Sequence, residues 1–98
     1  MVGYRVVIDD NFHYMDVSER VEHGTYATAA DAIAESERLV DASLAALREP
    51  GMTAEQLLTQ YYTFGEDPFV LAPSGADTVK FSAWDYAAKR ATELTESK

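Results

Sequence analysis

Residues 28–51, TAADAIAESERLVDASLAALREPG, read as one long helix with both ends marked, and the placement of everything else follows from it. Thr28 is suited to the N-cap, where its hydroxyl accepts from an otherwise orphan first-turn amide, and Asp31 places a carboxylate at the positive end of the helix. Ala30, Ile33, Glu37, Val40, Leu44 and Leu47 recur at spacings of three and four, with Ala34 beside them, so this stripe is expected to face the core with Glu37 at its rim. Pro50-Gly51 ends the helix: proline lacks the amide donor and restricts its predecessor, and glycine frees the turn.

Strand-like segments precede this helix. Tyr4-Arg5-Val6-Val7-Ile8 is β-branched and aromatic, with Tyr4, Val6 and Ile8 on one expected face and Arg5 and Val7 on the other, and it ends at Asp9-Asp10. A second strand is expected from Glu19 or Arg20 to Tyr26, with Gly24 marking a bulge or a close backbone approach. The short connection favours antiparallel pairing, and residues 11–16 are either the end of the first strand or a loop.

Downstream, Thr53 and Gln56 have the spacing of a capping box and open a short helix bearing Leu57, Leu58, Tyr61 and Tyr62, stopped at Gly65. A helix of this length is marginal alone and needs its Leu57/Tyr61 side laid on the rest of the chain. Gly65-Glu66-Asp67-Pro68 reads as a rigid acidic turn, and Phe69-Val70-Leu71-Ala72 as a buried strand. Pro73 to Asp77 has turn chemistry, and Thr78-Val79-Lys80-Phe81 is expected to return as the second arm of a hairpin. A last helix begins at Ser82, with Asp85 in its first turn, Phe81 and Tyr86 as a hydrophobic staple, and Ala83, Ala87, Arg90 or Ala91, and Leu94 facing inward with Trp84 adjacent. The order β-β-α-α-β-β-α is an α+β pattern: a small antiparallel sheet of three to four strands packed against two or three helices, in one domain spanning residues 1–98.

Composition narrows the function. Apolar residues make up 47% and charged residues 26% of the 98, which is the balance of a chain that folds. Seventeen acidic against eight basic side chains give a net charge of −9, a field that repels phosphate backbones and anionic lipids and argues against a nucleic-acid or membrane partner. Without cysteine there is no disulfide, thiolate metal site or cysteine nucleophile. Residues 1–10 lack a secretory pattern and no apolar run approaches a bilayer span, so a cytoplasmic location is expected.

Motifs for chemistry fail one by one. Counted from Asp9, an oxygen-rich calcium loop would need glycine and glutamate where Tyr14 and Arg20 stand, and His13 and His23 lack zinc-ligand spacing, so no metal or cofactor is expected. The glycines form no phosphate cradle, and no glycine-flanked nucleophile is present. The best local concentration of acid–base groups is His13 with Asp9, Asp10 and Tyr14. A ligand groove is conceivable with Asp9, Asp10 and Asn11 on one wall and Glu66 and Asp67 on the other, lined by Tyr61 or Tyr62.

The segments Asp9-Asp10-Asn11-Phe12-His13-Tyr14, Gly51-Met52-Thr53-Ala54-Glu55, Phe64-Gly65-Glu66-Asp67-Pro68-Phe69 and Phe81-Ser82-Ala83-Trp84-Asp85-Tyr86-Ala87 together resemble a family of small bacterial proteins of unknown function. The resemblance covers almost the whole chain. It implies a bacterial origin and a compact, free-standing domain, and it carries over no activity, ligand or catalytic residue. The leading expectation is a cytoplasmic, non-enzymatic domain that binds a protein or a small ligand. One alternative is a small enzyme using His13 with Asp9 or Asp10 for proton transfer. Another is a structural or helper subunit, homo-oligomeric or bound to a different protein.

Overall fold

A computed structural model describes residues 3–10 and 21–96. Its elements run β1 (Tyr4–Asp10), β2 (Val21–Tyr26), α1 (Ala29–Leu47), α2 (Ala54–Phe64), β3 (Glu66–Leu71) and α3 (Ala83–Glu96). The three strands form one antiparallel sheet in the order β2-β1-β3, so β1 is central. The architecture is therefore α+β, a three-stranded antiparallel sheet packed with three helices.

Strand alternation sorts the sheet residues. Val6 and Ile8 of β1, with Val70 of β3, pack with Ala32 and Leu39 of α1 in one buried cluster. Val7, of opposite parity, is buried too. A second cluster joins Val40 and Leu44 of α1 to Leu57 and Tyr61 of α2 and to Ala83, Ala87 and Ala91 of α3. The N-terminal half of α1 thus lies on the sheet and its C-terminal half on the other helices.

That division corrects the expected inner stripe of α1. Ala30 is exposed and Glu37 only partly buried, whereas Ala32 and Ser36 are fully buried. A helix serving two clusters spreads its buried surface over two faces, and small residues at Ala32 and Ser36 allow close approach to the sheet. Burying Ser36 is made tolerable by its hydroxyl, which donates to the Ala32 carbonyl at 2.9 Å. The caps follow the sequence reading: Thr28 Oγ1 accepts from the Asp31 amide at 3.1 Å, and Thr53 and Gln56 close a reciprocal capping box.

Two further expectations are corrected. Residues 78–81 are not a strand. The alternation is real, since Val79 and Phe81 are partly buried while Thr78 and Lys80 are exposed. However, Val79 packs on the sheet cluster and Phe81 on the helical one, so the segment crosses between clusters instead of running beside β3. Glu66 and Asp67, read as a turn, belong to β3, which starts directly after Gly65. Pro68 sits inside that strand because β3 is an edge strand, where a residue without an amide hydrogen is accommodated.

The predicted irregularity at Gly24 is a bulge. Val6 pairs with Gly24 but Val7 pairs with Glu22, leaving His23 as the extra residue. The bulge restores Glu22 to the face of Arg5, where the two side chains pair at 3.0 Å, and lets His23 reach Glu35 on α1.

Candidate functional site

The ladder between β1 and β3 sets Asp9 opposite Asp67 and Asp10 opposite Glu66. The two acidic segments singled out in the sequence are therefore backbone neighbours in one sheet, and not separate walls of a groove. Antiparallel geometry places directly opposed side chains on the same face, so Asp9 and Asp67 oppose like charge to like charge. Burial, reinforced by the Asp9 carboxylate, raises the Asp67 carboxyl from 3.8 to about 6.

Asp67 also lines a cleft of about 460 Å³ between β3 and the start of α3, together with Pro68, Phe69, Phe81, Trp84 and Asp85. Ser82 fixes the entry to α3: its hydroxyl accepts from the Asp85 amide at 3.2 Å, and its carbonyl accepts from the Tyr86 amide at 3.0 Å. Trp84 stands 37% exposed, and the Tyr62 ring lies against it with centroids 4.5 Å apart and planes 31° from parallel. α2 and α3 thus present two aromatic side chains as one surface beside the cleft.

The adjacent tyrosines divide their roles. Tyr61 is fully buried, and its hydroxyl donates to the Glu66 carbonyl at 2.6 Å. The Glu66 amide donates to Ser43 Oγ at 3.1 Å. Tyr61 therefore ties α2 to the first residue of β3 and serves as scaffold, whereas Tyr62 faces outward. Gly65 makes the junction possible, because a β-carbon there would stand 2.8 Å from both Tyr61 Cε1 and the Tyr61 carbonyl oxygen.

Of the acid–base pair read from sequence, Asp10 is placed by its backbone in β1, and His13 lies outside the described residues, as does Asn11. A different histidine has a defined partner. His23 Nε2 is 2.7 Å from Glu35 Oε2, and Arg38 engages both Glu35 oxygens, with Nε at 2.8 Å from Oε1 and Nη2 on Oε2. The Arg38 hydrogen bonds are the largest influence on the Glu35 carboxyl. With the His23 bond they outweigh the opposing effect of burial and lower it from 4.5 to about 2. This cluster joins β2 to α1, at the opposite edge of the sheet from the β3 cleft.

Sequence reasoning missed both Glu35 and the contribution of Phe81, Trp84 and Asp85 to the cleft. The bulge signal at Gly24 pointed toward the first. The second had only the helix-start pattern at Ser82-Asp85, which marks a cap and not a cavity. Among the described residues no group of three histidine, aspartate or glutamate side chains is arranged to hold a metal ion. Nor is any helix among them long and apolar enough to cross a membrane. Comparison of the chain with protein-family models, with curated proteins and with solved structures gives no match to any of them.

Proposed function

We propose that this chain is a non-enzymatic, cytoplasmic binding domain whose ligand occupies the cleft between β3 and α3. The observation that carries the reading is Asp67, a partly buried carboxyl held beside the aromatic side chains of Phe69, Phe81 and Trp84. A mostly apolar concavity with a few placed polar groups is the general form of a ligand site, and about 460 Å³ falls within the usual size range. Nothing in this lining suits nucleophilic chemistry on a substrate. Its one hydroxyl, on Ser82, is occupied with capping α3, and the lining includes no histidine. The acidic, cysteine-free composition supports the cytoplasmic placement.

The test is a titration of isotope-labelled protein with a panel of small molecules and short peptides spanning anionic, neutral and cationic members. A saturable shift shared by the amides of residues 67 and 69 and of residues 81–85 is the expected result. A panel in which no member moves those amides together overturns the reading.

A further inference from the structure

We propose a second binding site, for a free α-amino acid, seated on the Arg5–Glu22 pair at the end of the sheet away from Asp9 and Asp67. It stands apart from the β3–α3 cleft and does not depend on it.

The site is a concavity of about 510 Å³ lined by Arg5, Glu22, Thr25 and the chain that leaves β3, Ala72 to Ser74. That volume suits a small molecule. The ladder sets Arg5 between Thr25 of β2 and Leu71 of β3, so all three strands contribute to this end of the sheet. One wall is held by a turn. The Ala76 amide donates to the Pro73 carbonyl at 3.0 Å, and Gly75 has a φ of 87°, in the region that favours glycine.

The bulge in β2 builds the polar part of the site. With His23 as the extra residue, Val7 pairs with Glu22, so a carboxylate and not an imidazole arrives beside Arg5; bulges commonly re-aim a side chain in this way. Arg5 Nη1 donates to Glu22 Oε1 at 3.0 Å. This single bond contrasts with Arg38 and Arg90, each of which commits Nε and a terminal nitrogen to carboxylates. Among the described residues no acceptor takes Arg5 Nε or Nη2, and no donor reaches Glu22 Oε2. Both side chains are about half exposed, at 51% and 55%, so a solute can reach these unused groups.

Opposite charges held 3.0 Å apart select among ligands. A simple anion drawn to Arg5 is repelled by Glu22, and a simple cation drawn to Glu22 is repelled by Arg5, so the two terms largely cancel. A zwitterion escapes the cancellation. Laid antiparallel to the pair, an α-amino acid sets its carboxylate on the free guanidinium donors and its ammonium on Glu22 Oε2, so that charges alternate around a ring and the Arg5–Glu22 bond is kept. Ala72 and Pro73 remain to meet its side chain. A peptide terminus brings only one of the two charges.

The test is an amide-shift titration of isotope-labelled protein with L-alanine, L-leucine and L-phenylalanine. At least one is expected to give a saturable shift shared by the amides of residues 5, 22, 25, 72 and 74; residues 67, 69 and 81–85 report the other cleft separately. The N-acetyl and the carboxamide derivatives of that amino acid are expected to bind at least about tenfold more weakly, as is the parent amino acid to Arg5→Gln or Glu22→Gln protein. An exposed pair of this kind contributes little to folding, and circular dichroism checks that both variants fold. A derivative that binds as tightly as its parent overturns the zwitterion, and a variant that binds as tightly as the parent protein overturns Arg5–Glu22 as its seat. If none of the amino acids moves these amides at concentrations up to about 50 mM, the site does not exist, whatever the outcome at the β3–α3 cleft.

Discussion

Asp9 and Asp67 stand opposite each other in the β1–β3 ladder, two carboxylates on one face of a sheet. The cost of this arrangement has a definite pH dependence. Because folding raises the Asp67 carboxyl from 3.8 to about 6, the folded protein binds more protons than the unfolded one between those values, and stability falls as pH rises through that window. Asp67→Asn removes the charge and is expected to stabilise the fold by about 1 kcal/mol at neutral pH, with the advantage disappearing near the unfolded value. Urea melts of both proteins at pH 4 and pH 7 measure this, and an equal difference at the two pH values contradicts it.

Removing the Tyr61 hydroxyl leaves the Glu66 carbonyl without that donor in a partly buried place. Tyr61→Phe is expected to cost about 1–2 kcal/mol while preserving the packing of the ring. Thermal or denaturant unfolding gives the size of the loss, and a variant as stable as the parent shows that water replaces the hydroxyl.

Gly65 is required by space. Its φ of −77° suits any residue, yet an added methyl would meet the Tyr61 ring and carbonyl. Gly65→Ala is expected to destabilise by about 1–3 kcal/mol. The double variant Gly65→Ala, Tyr61→Leu should lose less than the sum of its parts, since the branched side chain no longer extends a ring toward the new methyl. Strict additivity in that double-mutant cycle excludes the clash as the cause.

Glu35 has the opposite linkage to Asp67. Its carboxyl is lowered from 4.5 to about 2 by hydrogen bonds from Arg38 and His23, so its contribution is complete above the unfolded value and is lost as pH falls toward 2. Arg38 is well exposed and solvent screens it, so Glu35→Gln is expected to cost only about 0.5–1 kcal/mol at pH 7. The difference from the parent should narrow below about pH 4. Chemical denaturation across pH 2–7 tests this, and a cost independent of pH assigns the role of Glu35 to packing alone.

Much of the fold was legible where a local rule decided it. Thr28 and Thr53 cap their helices because a hydroxyl beside free first-turn amides needs no distant partner. The bulge was one of the two readings that Gly24 allowed, the other being a close backbone approach. The hairpin arm at Thr78–Phe81 failed for the complementary reason. Its alternation correctly separated Val79 and Phe81 from Thr78 and Lys80, but whether such a segment pairs with a strand or crosses between two clusters depends on where those clusters lie. The candidate site was legible only as chemistry: Asp67 and Tyr62 were named, while the aromatic residues that surround them come from residues 69–84.

The sequence by itself determined the three helices, the caps of α1 and α2, the first two strands and the antiparallel α+β class, because helix ends and strand periodicity are set by interactions among residues a few positions apart. Only the tertiary structure decided that Asp9 meets Asp67, that Tyr62 lies on Trp84, and that α1 divides its length between two clusters. Each of these depends on register and packing between distant segments, and side-chain identity alone leaves many such pairings open.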